Sequence, residues 1–312
     1  MDVEKKPILS YVTSRIYYNF YYEEEIKKKQ LYSGMHFLTL LNELTRFLHG
    51  AEKTNINDIF TFILYVLHDE DIQIIKKVKD EQIKKYKYNR LDLAEVVNNG
   101  INFMKKENNS IVTDTLNYSL LQIMECPTCN NKYNDLKSFP TFILDIGAVY
   151  SEIISSGKKL FSLKDCLDFE INKNRNILKF YCDSCHSYKK SKSVNYIFYE
   201  TNKKLIFLLK RDAGFNKDNY SMKVPFQIDE KIDLKDYMLD PNINAKYELT
   251  CVISSEIEEK RYVCFLKSYI NNKWYLYVDE SIEERNNIED ILNEHNNKFK
   301  YIPYILMYSK IS

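Results

Sequence analysis

Cys126-Pro127-Thr128-Cys129 and Cys182-Asp183-Ser184-Cys185 are the stretches on which the fold turns. Each is a Cys-x-x-Cys knuckle, and two such knuckles supply the four thiolates that close a tetrahedral zinc site. A site with every position filled activates no water, so the zinc expected here is structural. The interval from Asn130 to Tyr181 is too long for a compact zinc ribbon. The site should therefore clip together two hairpins distant in sequence and contribute several kcal/mol, bounded by the ~10–16 kcal/mol apparent for isolated zinc fingers. Four ordinary reduced cysteines are the alternative, and His186, next to Cys185, is an available substitute ligand.

The bulk properties frame that reading. The 312 residues are 45% hydrophobic and 29% charged, an ordinary globular balance with length enough for one large domain. Forty-five basic and 44 acidic residues are interspersed and leave a net charge of +1, so no long-range field points to nucleic acid or an anionic membrane. No run approaches the roughly 20 apolar residues that span a bilayer, and Met1 to Pro7 lacks a signal-type apolar core. Seven cysteines, four of them in knuckles, suit metal binding in a reducing compartment, so the expected location is cytoplasmic or nuclear.

Along the chain, Glu23 to Glu25 stand ahead of Lys27 to Lys29 in the favourable i,i+4 order and predict a helix over about 16–30. Helical periodicity marks a core helix between Met35 and Leu48, a further helix with Ile59, Phe62, Ile63, Val66 and Leu67 on its buried face and Asn57 or Asp58 as its cap, and another over 91–104. From about Ser110 the chain turns to strands, with candidates at 193–199, 204–209, 247–254, 262–268, 273–278 and 301–308 rich in aromatic and β-branched residues. A helical first third followed by β structure is an α+β pattern, and no Pro/Gly linker divides it. The expectation is one domain over 1–312, with a helical part over about 1–109.

The C-terminal two-thirds also carries a succession of motifs: Cys126-x-x-Cys129, Ser162-Leu163-Lys164-Asp165-Cys166-Leu167, Cys182-x-x-Cys185, Leu209-Lys210-Arg211, Val224-Pro225-Phe226, Tyr247-x-Leu249, Arg261-Tyr262, Lys273-Trp274-Tyr275-x-Tyr277-x-Asp279 and Tyr304-Ile305-Leu306-x-Tyr308. In that order they resemble the ubiquitin-specific protease domain, a papain-like cysteine protease fold of fingers, palm and thumb. Leu9 through Asn19 resembles the family's cysteine box more faintly, and Asn57 through Ile63 its "QDAxEFL" stretch. The resemblance implies a helical thumb over about 1–109 and zinc-containing fingers with a β palm over about 110–312.

It also implies that the nucleophile's position is Ile16, the general base's Arg261 and the third member's Val278, with Asp279 as the neighbouring acid. A cysteine protease needs a thiolate made nucleophilic by an imidazole, usually oriented by a third polar group. Isoleucine has no nucleophile, arginine accepts no proton and valine orients nothing. Tyr11, Thr13 and Ser14 stand where the family's oxyanion residues would be, which removes support for transition-state charge as well. Tyr17, Tyr18, Tyr21 and Tyr22 adjoin that stretch and are placed to block a ubiquitin tail.

The function expected is that of a catalytically dead protein-binding module, either a scaffold or a ubiquitin-binding unit in a larger assembly; inactive relatives of this fold occur in pre-mRNA splicing and mRNA deadenylation complexes. The alternative is an active deubiquitinating thiol hydrolase with a displaced triad built from Cys166, Cys251 or Cys264. Cys251 and Cys264 lie on apolar strands, where a buried inert thiol is the ordinary reading. Lys189, Lys190 and Lys192 with Tyr188 and Tyr196 are explained as a solvated finger tip rather than a nucleic-acid surface.

Overall fold

The computed structural model describes residues 56–76, 110–155, 161–172, 178–211, 226–256, 259, 261–279, 281–285 and 300–311. The helices expected over 16–30, 35–48 and 91–104 lie outside them. The chain divides into two compact units, Met1–Asp114 and Thr115–Ser312.

In the first unit, the expected helix forms as α1 (Ile56–Lys76), but Ile59, Phe62, Ile63, Val66 and Leu67 are only half-buried, and the buried apolar residue is Leu64, which the periodicity did not mark. It begins at Ile56, so Asn57 and Asp58 lie within its first turn rather than ahead of it. Thr61 Oγ1 donates to the Asn57 carbonyl at 2.8 Å. Ser110 starts α2 (Ile111–Leu116): its Oγ accepts from the Thr113 N–H at 3.1 Å while its own N–H donates to Thr113 Oγ1 at 2.8 Å, a reciprocal cap for two otherwise unsatisfied donors.

Among the described residues, the second unit is built on β structure with two α-helices beyond α2 and a 3-10 turn at Lys235–Tyr237. β1 (Tyr118–Glu125), β2 (Lys132–Phe139), β3 (Phe142–Asp145), α3 (Ile146–Ser155), β4 (Phe161–Ser162), α4 (Leu163–Asn172), β5 (Lys179–Cys182), β6 (Ser187–Lys190), β7 (Ser193–Glu200) and β8 (Lys204–Lys210) are followed by β9 (Phe226–Gln227), β10 (Lys231–Asp233), β11 (Lys246–Glu256), β12 (Arg261–Lys267), β13 (Trp274–Val278), β14 (Ser281–Arg285) and β15 (Tyr301–Lys310). All six strand candidates from the sequence form, four of them longer than expected, β12 shifted by one residue and β13 one residue shorter.

The large sheet runs β14-β13-β12-β11-β15-β8-β3, with β10 added on β11. All its pairings are antiparallel except β3 with β8. β8 lies between β15 and the edge strand β3, and its five consecutive apolar residues Leu205 to Leu209 are all buried, which is what a strand covered on both faces requires. β12 instead alternates, burying Val263 and Phe265 and exposing Tyr262 and Leu266. A register shift between Leu249 and Cys251 lets β11 change its core-facing set from Tyr247 and Leu249 to Val252.

α3 packs on β8 and α4 on β3, β4 and β7, and through Ile146, Val149, Leu163, Cys166 and Leu167 they join the buried core that also holds Phe207, Phe265, Trp274 and Tyr308. Neither helix is marked as a helix in the sequence reading, although α4 opens on a clear start signal. Ser162 N donates to Asp165 Oδ2 at 2.8 Å, and the Asp165 N–H returns to Ser162 Oγ at 3.5 Å. A separate sheet, β2-β1-β7, the short parallel β4–β9 pair and the β5–β6 hairpin complete the described part of the unit.

Candidate metal centre and the triad-equivalent positions

Both knuckles sit at hairpin tips, Cys126 and Cys129 between β1 and β2, and Cys182 and Cys185 between β5 and β6. The two turns are built alike. In each, the residue after the second cysteine takes the left-handed conformation, Asn130 at φ 54 and His186 at φ 48. Cys126 N donates to the Asn131 carbonyl at 2.9 Å and Asn130 N to the Cys126 carbonyl at 3.0 Å, which closes the first turn.

The four Sγ atoms lie within 4.8 Å of one another, with Cys126 to Cys185 at 3.9 Å and Cys129 to Cys182 at 3.6 Å. These are not disulfide contacts, which require about 2.05 Å. A tetrahedral ion with sulfur at about 2.3 Å has sulfur–sulfur edges of about 3.8 Å. The donor set therefore fits one soft tetrahedral cation with no open position, and His186 is not among the donors.

Cys126 and Cys182 are fully buried against Phe180, Met124 and Tyr133. Burial opposes ionisation of Cys182, but hydrogen bonds from the Tyr133 hydroxyl at 3.1 Å and the Cys185 N–H at 3.4 Å overcome it and bring the thiol down to about 6. Cys185 is pushed up to about 12, chiefly by its hydrogen bond with Cys182. Four thiols so close resist one another's ionisation, and a divalent cation is the group that lets all four ionise. Tyr133 was missed in the sequence; its signal is an aromatic residue just beyond the first knuckle.

Arg261, which the sequence resemblance sets against the family's general base, begins β12 directly opposite Glu256, the last residue of β11. Its Nε donates to Glu256 Oε2 at 2.7 Å and its Nη1 to Asp279 Oδ2 at 2.9 Å. Lys300 Nζ lies 3.3 Å from the other Glu256 oxygen. Glu256 is only 4% exposed; burial pushes its carboxyl upward, but Arg261 and Lys300 outweigh that and hold it below the ordinary carboxylate value.

Val278 is buried at the end of β13, and Asp279 follows at φ 48 in the turn to β14. Structure thus brings Arg261, Val278 and Asp279 together along an open groove of about 540 Å³ that also takes in Glu256, Glu283 and Lys300. A guanidinium donates and cannot accept a proton. Among the described residues that line it, the groove holds charged groups and no imidazole. Glu256 and Lys300 were not singled out in the sequence, because only folding brings Lys300 to the end of β11. Ile16, with Tyr11, Thr13, Ser14 and the nearby tyrosines, lies outside the described residues.

The remaining motifs have structural positions. Cys166 is buried in α4, where burial pushes its thiol well above the usual range. Arg211, 1% exposed, donates Nε to the Pro303 carbonyl at 2.7 Å and ties the end of β8 to β15.

Two hairpins joined at a four-cysteine cluster beside a mixed sheet, with these motifs in this order, define a class of protein, and the family model confirms it. Residues 2–308 match the ubiquitin carboxyl-terminal hydrolase family, and the chain belongs to that family. No individual curated protein sequence matches it. Among solved structures, it is similar to the SAGA deubiquitinating module of Ubp8, Sgf11, Sus1 and Sgf73 bound to monoubiquitin, with a TM-score of 0.64 and 18% identity over 97% of this chain and 59% of that one. A second SAGA module with Ubp8 matches at 0.59 and 19% over 97% and 59%. The yeast SAGA module matches at 0.59 and 18% over 99% and 64%. The chain thus spans about three-fifths of the matched chains. The fold is that of a ubiquitin-specific protease, and among the described residues no helix is long and apolar enough to cross a membrane.

Proposed function

We propose that this chain is a non-catalytic ubiquitin-specific protease domain that binds protein partners in a larger assembly, with Zn²⁺ on Cys126, Cys129, Cys182 and Cys185 as a structural clip. The observation that carries the reading is Arg261: its guanidinium is engaged by Glu256 and Asp279 where a general base would have to stand free. Ile16 and Val278 at the other two aligned positions are consistent with it. The family match extends through both compact units, which supports one domain over 1–312.

The partner is a protein, either ubiquitin or the subunits of a complex. The similar SAGA structures are assembled modules, one of them bound to monoubiquitin, which supports binding as the retained role. RNA-processing assemblies are one setting that the resemblance to inactive relatives suggests, in the cytoplasm or nucleus. The test is hydrolysis of a fluorogenic ubiquitin conjugate by the zinc-loaded chain, followed by calorimetric titration with ubiquitin. No turnover is expected. Turnover lost on replacing Cys166, Cys251 or Cys264 with Ser would overturn the reading in favour of a displaced triad. Micromolar ubiquitin binding would make the chain a ubiquitin reader, and none would make it a scaffold.

A further inference from the structure

Cys251 on β11 and Cys264 on β12 belong neither to the metal centre nor to the Arg261 groove. In the register, Cys251 faces Leu266 and Cys264 faces Ile253, so the two cysteines are diagonal neighbours on one face of the sheet. That face is opposite the one on which Val252, Val263 and Phe265 join the core. Their sulfurs lie 3.6 Å apart as free thiols. Cys251 is buried, whereas Cys264 is partly exposed, between Tyr262 and Leu266, which are 43% and 40% exposed.

We propose that Cys251 and Cys264 form a redox modification site, converted by a hydroperoxide into a disulfide across β11 and β12. Cys264 is the reactive partner because it reaches the surface and shares a hydrogen bond with the Cys251 sulfur at 3.6 Å. That bond lowers the Cys264 thiol and raises Cys251. In the first step the Cys264 thiolate attacks a peroxide oxygen. An S–O bond forms, the O–O bond breaks, and the leaving hydroxide or alkoxide takes up a proton to become water or an alcohol. In the second step the Cys251 sulfur attacks the sulfenic sulfur. The S–S bond forms, the S–O bond breaks, and hydroxide departs with the proton that Cys251 gives up, as water. The two thiols together lose two electrons and the peroxide gains them.

A disulfide needs the sulfurs to close to about 2.05 Å, a movement within reach of side-chain rotation on strands already paired. The new bond would join the two strands whose ends carry Glu256 and Arg261.

The test treats the zinc-loaded full chain with increasing hydrogen peroxide, alkylates the remaining thiols and maps the peptides by mass spectrometry, while a chromophoric chelator follows zinc release. The expected result is a dithiothreitol-reversible Cys251–Cys264 link at doses that leave the zinc in place. In Cys251→Ser, Cys264 should persist as a sulfenic acid that dimedone labels; in Cys264→Ser, dimedone should leave Cys251 unlabelled. The proposal is overturned if both wild-type thiols still alkylate at doses that eject zinc, or if Cys264 passes to sulfinic acid while Cys251 stays free. The wild-type mapping decides the question even where a serine variant folds poorly.

Discussion

Arg261 shows how one side chain can give a catalytic-looking corner a structural job. With Glu256 nearly buried, removing the guanidinium leaves a carboxylate with Lys300 as its one cation among the described residues. Arg261→Ala should therefore lower the denaturant midpoint, and adding Glu256→Gln should recover part of the loss, since an uncompensated buried charge costs more than a neutral amide. The pH dependence has a fixed sign. Glu256 is held below its ordinary value of 4.5, so its contribution is present in full above about pH 4.5 and is lost as the pH falls through its depressed folded value. Acid titration of Glu256→Gln should lack that component; an unchanged acid profile would show that the pair does not stabilise the fold. At this scale too, Ile16→Cys combined with Arg261→His should not recover hydrolysis of a ubiquitin conjugate, because Val278 remains buried and apolar where a polar residue must orient the base. Robust turnover by the double variant would refute the aligned positions.

At the scale of elements, the knuckles are the test. Replacing Cys126 or Cys182 with Ser removes a fully buried donor, so metal content should fall from one ion per chain toward none. Hydrogen exchange should quicken in β1, β2, β5 and β6 while β8 and β15 stay protected; unchanged metal stoichiometry would contradict the site. The elements also show what sequence can carry. The six strand candidates were legible because aromatic and β-branched runs demand a pleated, buried surface, and the knuckles were legible because thiolate spacing is dictated by one ion. β3, with four residues, has no measurable period, and α3 and α4, with ten each, are short enough that their apolar positions pass for strand or loop. The Glu256–Lys300 contact leaves no local signature, since three strands, β12, β13 and β14, separate its partners in the chain.

For the whole molecule, the second unit owes its stability to one continuous core through β8, β15, β11 and the helices α3 and α4. Phe207→Ala, at a side chain with no exposure, should cost about 3–5 kcal/mol in equilibrium unfolding. A loss below 1 kcal/mol would mean that the site collapses around the missing ring. The order of motifs from the first knuckle to β15 made the family legible before any geometry, because those motifs sit at strand ends and helix starts that the fold cannot move. The knuckles have one more effect at this scale. The segment between them contains β3, α3, β4 and α4, which supply an edge strand and both covering helices of the core. With the proposed zinc clip, the second pair of thiols should reach the first only once that intervening chain has found its place, so the ion should be captured late. Metal uptake during refolding is then a clock for the core: its rate should follow the slowest step of palm assembly, and a chain that fails to build the core should leave the ion in solution.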